Sequence, residues 1–364
     1  MTRLVNAMPA EAQSATSASF ATGLPVELGK IERELKKLWD EGGAVMTRAS
    51  LINLAVYSEA PDSLRTNTQL VAEITREHAC RAIVIGANPA LRDEGVEAWI
   101  SAHCHVTRAG SKQICSEQIS FSLTGPTCQL LPSIVFSHLD SDLPFYLWWQ
   151  GEFHEPMDPQ LWSWVDRVIY DSQQWSDFEM QLRLVETAQR DAKQRIVLCD
   201  LNWARLVQMR LAIAQFFDPP ATHECLMNMR QVEIAFAPEF RSTALLLVGW
   251  LGAQLGWTLV EAADEATLSF ADSVGEAIRV SLHEEEGEPI GRCTLSCGET
   301  EFRVVHRSGA DLLEVAVHAG GAQRLHQLMP AGHNDPVSLM SEELMRGGPH
   351  RVYLRALNVV RELL

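Results

Sequence analysis

Residues 194–206, QRIVLCDLNWARL, decide how this chain is read. Ile196, Val197 and Leu198 form a short apolar run after a charged segment at 190–195, the pattern of a buried strand. The run breaks into Asp200-Leu201-Asn202-Trp203, a polar and aromatic cluster at the strand's carboxyl end. Asp200 and Asn202 both suit a helix N-cap, because a short side-chain oxygen accepts a free amide of the first turn; a helix is expected over 204–217. In an open α/β sheet, ligands and partners bind at the carboxyl ends of strands. A cap needs only a carboxylate or an amide. The Trp203 indole and the Arg205 guanidinium beside it suit a bound anion or a partner surface as well.

Working back from this strand, strands and helices alternate. Strands are expected at 51–57, 82–85, 144–149 and 168–170, with helices at 63–77, 129–139, 159–166 and 177–189. Two longer strands, 96–105 and 114–123, meet at the turn Ala109-Gly110-Ser111 and read as an antiparallel hairpin. Alternation of this kind predicts an α/β domain over 24–218: a Rossmann-like, mostly parallel sheet carrying an inserted hairpin. Residues 1–23 are rich in Ala, Ser and Thr without a period and are expected to be disordered.

Pro219-Pro220 breaks the chain after Phe217, and the rhythm then changes. A strand at 232–236 and an apolar helix at 242–255 precede segments in which apolar residues alternate: Ile278, Val280 and Leu282, then Leu313, Val315 and Val317. A period of two means sheets with one buried face. Helices at 337–346 and 350–364 close the chain. The expected second domain, 228–364, is α+β with an antiparallel sheet.

The formal net charge of −17 excludes some partners. Nucleic acids and anionic membranes are bound largely through Lys and Arg, so neither is expected. The chain has no apolar run of about 18 residues, hence no expected transmembrane helix. Its beginning, with Arg3 as the one strong base, makes a poor signal peptide. The 8 cysteines include no Cys-x-x-Cys pair, and they read as reduced thiols of a cytoplasmic protein.

Few residues suggest chemistry. No Gly-x-Gly-x-x-Gly and no Walker sequence follows a strand, so no nucleotide cofactor is expected. His103, Cys104, His105 and Cys115 resemble metal ligands, but on a strand His103 and His105 share a face that Cys104 does not, and ordinary sheet residues are the better reading. Glu117, within an apolar strand, is either a base or the partner of Arg108 or Lys112, and the structural role is favoured. Trp148 and Trp149 are adjacent on a strand and face opposite sides, so at least one lies off any single core face; a large aromatic core and an interface anchor both stay open. Cys293 and Cys297 on one extended strand lie about 13 Å apart, too far for a bridge.

The stretch Asp200-Leu201-Asn202-Trp203-Ala204-Arg205-Leu206 resembles the signature of the OpcA family, the glucose-6-phosphate dehydrogenase assembly proteins. Thr47 to Leu54, Cys115-Ser116-Glu117-Gln118-Ile119 and Leu143-Pro144-Phe145-Tyr146-Leu147-Trp148-Trp149 resemble further segments of that family, in the same order. The resemblance implies a non-catalytic regulator that binds glucose-6-phosphate dehydrogenase and favours its active oligomer. It favours a partner or effector site among Asp200, Asn202, Trp203, Arg205, Trp148, Trp149 and Glu117; the extra aromatic and cationic groups at the Asp200 cap predict that Arg205→Ala harms activation more than folding. A second reading stays open: a sugar-phosphate or nucleotide-sugar enzyme using the Asp200–Arg205 strand end.

Overall fold

The computed structural model describes residues 23–42, 46–106, 113–155, 158–191, 196–262, 264 and 266–364. The N-terminal segment before Gly23, the hairpin tip at Ala109-Gly110-Ser111, Arg108 and Lys112 lie outside them. The chain forms two compact units, Met1–Tyr170 with Leu184–Leu198, and Asp171–Arg183 with Cys199–Leu364.

The first sheet has the strands β1 (Leu24–Pro25), β2 (Met46–Arg48), β3 (Ile52–Ser58), β4 (Cys80–Asn88), β5 (Gly95–Val106), β6 (Gln113–Thr124), β7 (Phe145–Gln150), β8 (Arg167–Tyr170) and β9 (Val197–Asp200), the last two residues of β9 and the start of the helix at Phe178 falling in the second unit. The helices are α1 (Ile31–Gly42), α2 (Ser63–Ile74), α3 (Leu131–Ser137), α4 (Pro159–Trp162) and α5 (Phe178–Asp191). The strand order is β1-β5-β6-β4-β3-β7-β8-β9, with β2 beside β6. Strands β3, β4, β6, β7 and β8 pair parallel, and β5 pairs antiparallel with β6. Set β1, β2 and β5 aside, and the order reads third, second, first, fourth, fifth, sixth. That is the doubly wound order of dinucleotide-binding sheets, with the expected hairpin inserted before its third strand. Composition explains it: Leu54-Ala55-Val56 and Ala82-Ile83-Val84-Ile85 are fully buried, as strands covered on both faces must be. Gly86 lets α2 close on the sheet, since a Cβ there would lie 2.8 Å from Leu64 Cγ.

Two cysteines depart from the expected reduced state. The β5–β6 register sets Cys104 opposite Cys115 with Cα atoms 4.1 Å apart, and the two sulfurs form a disulfide. An antiparallel pair without mutual backbone bonds brings side chains this close, which scattered sequence positions do not reveal.

The second unit continues with α6 (Leu201–Arg205), α7 (Val207–Gln215), α8 (His223–Met227), α9 (Arg241–Leu255), α10 (Pro336–Met345) and α11 (Arg351–Leu363). Its strands are β10 (Gln231–Phe236), β11 (Thr258–Ala262), β12 (Thr267–Ala271), β13 (Ala277–Glu284), β14 (Ile290–Cys297), β15 (Thr300–His306), β16 (Leu312–Ala319) and β17 (Ala322–Pro330). They form one sheet in the order β11-β12-β13-β10-β14-β15-β16-β17. Every pairing is antiparallel except β10 with β13. Helix α9 and the β11–β12 hairpin separate those two strands and supply the long crossover a parallel pair needs. Helix α9 is apolar almost all round, with Ala244–Val248 and Leu251 buried. At Gly249 the backbone of α11 comes so close that a Cβ would lie 2.6 Å from the Ala356 carbonyl oxygen.

Cys293 is buried on β14, while Cys297 at the strand's end is half-buried, near Cys225. Among the described residues no helix is long and apolar enough to cross a membrane.

Candidate functional site

The Asp200–Arg205 stretch folds as its residue types dictate. Strand β9 ends at Asp200, whose extended backbone and carboxylate cap α6: Oδ1 accepts the Asn202 amide at 2.9 Å. The helix starts earlier than expected and breaks at Leu206 before α7. Asp200 is fully buried. Oδ1 also accepts the Ser172 amide at 3.1 Å, and Oδ2 accepts the hydroxyls of Ser172 at 2.7 Å and Tyr353 at 3.0 Å. Burial, then the negative charge of Asp171, push the Asp200 carboxyl up to about 7, against the opposing pull of the Ser172 and Tyr353 hydrogen bonds.

Asn202 is the second buried hub. Its Nδ2 donates to Ser172 Oγ at 3.1 Å and Ser242 Oγ at 3.0 Å. Its Oδ1 accepts the Thr243 hydroxyl at 2.5 Å and Arg205 Nη1 at 3.1 Å. All the side-chain capacity of this amide is therefore used.

Arg205 forks onto Asp171, Nη2 to Oδ2 at 2.8 Å and Nη1 to Oδ1 at 3.2 Å, with both side chains nearly buried. Its Nε donates to Asn334 Oδ1, and its plane lies over the Phe240 ring. One edge of Arg205 borders a cavity of about 220 Å³ lined also by Glu288, His306, Asp311, His333 and Asn334. Trp203 is buried: its ring packs against Tyr353, and the Arg210 guanidinium stacks 3.5 Å from the ring centroid. Of the four residues, only Arg205 lines that cavity; the other three support it from within.

Glu117, Trp148 and Trp149 belong to the other unit. Glu117 is buried on β6, where Oε1 accepts Arg48 Nη2 and Arg81 Nη1, each at 2.7 Å, and Oε2 accepts the Trp39 indole at 3.2 Å. Arg81 also pairs with Glu32. With its oxygens taken up by Arg48, Arg81 and Trp39, Glu117 sits in a structural ion cluster. Trp148 is buried and Trp149, on the opposite face, is half-buried. Trp149 stacks on Tyr57 at 4.1 Å and donates to the Glu152 carbonyl at 3.0 Å. His103 and His105 do not converge on a metal. His103 contacts Gln118 at 2.8 Å and His105 contacts Thr75 at 3.3 Å, while Cys104 and Cys115 are bonded to each other.

Several residues escaped the sequence reading. Asp171 and Ser172, just past β8, complete the Asp200 network, and the rule about carboxyl ends of neighbouring strands points to them. The first βα turn of the doubly wound sheet also went unweighed. It reads Ser58-Glu59-Ala60-Pro61-Asp62 and runs straight into α2. A crevice of about 360 Å³ opens there, lined by Glu59, Asp62, Ser63, Arg65, Asn88 and Ser122 among others. In a dinucleotide-binding sheet this turn is glycine-rich and its amides hold a pyrophosphate. Here Glu59, which accepts the Tyr57 hydroxyl at 2.7 Å, and Asp62 present carboxylates instead.

Two family models match the chain. One, the glucose-6-phosphate dehydrogenase subunit N-terminal domain of OpcA, covers residues 71–187; the other, the C-terminal domain of the same subunit, covers 196–357. A putative OxPP cycle protein OpcA from Synechococcus elongatus is 26% identical over 322 residues, 79% of this chain and 68% of that protein. One of the same name from Nostoc punctiforme is 26% identical over 325 residues, 81% of this chain and 67% of that protein. The chain thus spans about two thirds of their length. Among solved structures, an aldose-aldose oxidoreductase from Caulobacter crescentus, complexed with glycerol, is 10% identical with a TM-score of 0.47, covering 86% of this chain and 96% of that one. That likeness is too loose to carry a substrate across.

Proposed function

Because the chain belongs to the OpcA family of glucose-6-phosphate dehydrogenase subunits, we propose that it is a cytoplasmic, non-catalytic factor that binds glucose-6-phosphate dehydrogenase and favours its active oligomer. The observation that carries this reading is the pair of family matches, in order, over most of the chain. Two features support its non-catalytic half. The turn lacks the glycines with which a dinucleotide-binding sheet brings its amides to a pyrophosphate, and it carries Glu59 and Asp62 instead, the latter 3.7 Å from Arg65. The polar groups at the end of β9 are occupied by one another, leaving neither a nucleophile nor a base directed at open space.

Such a factor acts only through differential binding. It must hold the active oligomer more tightly than the inactive form, each ten-fold difference contributing about 1.4 kcal/mol. With a net charge of −17 it suits a basic patch on the enzyme, and salt should weaken the complex. Any small effector would enter the cavity beside Arg205, where His333 and the Arg205 edge offer donors, and Asp200, Asn202 and Trp203 fix that wall from behind.

The test is a titration of this protein into the cognate dehydrogenase, following NADPH absorbance, with size-exclusion chromatography alongside. A saturable fall in the apparent KM for glucose 6-phosphate, or a shift to a larger oligomer, is expected. Unchanged kinetics together with no co-elution would end this reading. Turnover of a sugar phosphate by the protein alone would favour an enzyme at the β9 strand end instead.

A further inference from the structure

Behind the β9 strand end, on the residue before Asp200, begins a separate cluster. Cys199 lies on β9, Glu343 in the last turn of α10, and His350 caps α11. One donor atom from each, the Cys199 sulfur, a Glu343 carboxylate oxygen and a His350 ring nitrogen, lies within 4.8 Å of the other two. Among the described residues no other trio of His, Cys, Asp and Glu converges this way. The site is enclosed: the His350 side chain is 7% exposed and that of Glu343 1%.

The geometry between His350 and Glu343 is informative. Nε2 stands 3.0 Å from Oε1, yet that nitrogen makes no hydrogen bond. At such a distance only direction can fail, so the imidazole nitrogen is not aimed along the axis to the carboxylate oxygen. Two donors side by side but not aimed at each other are arranged as ligands of a common third atom are. A tetrahedral ion with bonds near 2.1 Å holds its nitrogen and oxygen ligands about 3.4 Å apart, a few tenths of an ångström beyond the distance seen, and places sulfur about 3.6 Å from either.

We propose that Cys199, Glu343 and His350 form a binding site for one zinc-type divalent cation, with a fourth position open to water. Thiolate, imidazole and carboxylate are the ligand types Zn²⁺ takes, and three protein ligands leave one position for water. The charges agree: a thiolate and a carboxylate neutralise a divalent ion, so the enclosed site carries no net charge. Binding releases the Cys199 thiol proton to solvent, and no redox step occurs. The ion would tie the end of β9 to the loop between α10 and α11, within one unit. This is independent of the proposed role with the dehydrogenase, since it concerns only what holds this unit together.

The test uses the full chain, with Zn²⁺ and Co²⁺ as probes. After EDTA treatment and desalting, elemental analysis should find one equivalent of Zn²⁺ taken up per chain, and the melting temperature should rise with Zn²⁺ and fall with EDTA. The Co²⁺ form should show a thiolate-to-cobalt charge-transfer band in the near ultraviolet. Cys199→Ser should abolish that band. His350→Gln should weaken uptake at least about ten-fold, since even outer-shell partners of a metal cost that much. Circular dichroism of each variant separates lost binding from lost fold. No uptake by the wild-type protein overturns the proposal, as does Co²⁺ binding without a thiolate band. Uptake unchanged in both folded variants does so too, because it places the ion on surface histidines.

Discussion

Replacing Asp200 with asparagine removes a titration buried in the second unit, and its effect can be worked from the structure. The carboxyl ionises near 3.8 in the unfolded chain and near 7 in the folded one. The folded state therefore holds a proton that the unfolded state releases, and stability falls as pH rises through this window, levelling off above it. With about 1.36 kcal/mol per pH unit, this group alone should make the protein about 2.5 kcal/mol less stable at pH ~8 than at pH ~5. For a unit of this size that is about 5–10 °C in Tm. Asparagine keeps the oxygen that accepts the Ser172 and Asn202 amides, and places an NH₂ where Oδ2 meets the Ser172 and Tyr353 hydroxyls, which turn to accept. The assay is urea unfolding of wild type and Asp200→Asn across that pH range, read as the difference between the two proteins. Subtraction matters because burial lowers His78, His103 and His138, groups that favour the folded state at higher pH and oppose the Asp200 trend. Parallel stability curves for the two proteins would refute the reasoning and mean that Asp200 stays ionised.

Arg205→Ala leaves Asp171 nearly buried without its counter-charge and should cost about 3 kcal/mol in denaturant unfolding, the reverse of the near-wild-type melt expected from sequence alone. Glu117→Gln leaves Arg81 buried with only the exposed Glu32 for compensation; a loss of about 3 kcal/mol is expected by the same measurement. Gly249→Ala drives a methyl into the Ala356 carbonyl and the Val360 side chain, and should lower stability by about 1–3 kcal/mol, read as a fall in Tm.

How much of this was legible depended on the range of the interaction. The Asp200 cap spans two residues, so Asp-x-Asn after an apolar run announced it. The partners that complete the network lie far along the chain, Ser172 28 positions away and Tyr353 153, and no local pattern encodes them. Glu117 shows the same limit. A carboxylate near a hairpin tip suggested Arg108 or Lys112, which lie outside the described residues, whereas the structure supplies Arg48 and Arg81 from strands paired beside β6. The mostly parallel sheet of the first unit followed from alternation with helices, because parallel neighbours need crossovers. In the second unit, period-two alternation revealed a buried face but not the direction of each neighbour, so the parallel β10–β13 pair stayed hidden. Cys104 and Cys115 lie 11 positions apart, and only the register makes them bonded.

The acidic turn between β3 and α2 has a thermodynamic consequence. A dehydrogenase built on such a sheet shares its stability with the cellular cofactor pool, gaining about 2.7 kcal/mol when the cofactor stands at a hundred times its Kd. On the proposed reading, a chain whose turn carries Glu59 and Asp62 in place of glycines receives no such contribution. It must fold on its own packing, and its abundance should not follow the redox charge of the nicotinamide pool. A factor with the proposed role in another enzyme's assembly gains from that independence, because its own folded fraction stays constant while the enzyme's cofactor supply rises and falls.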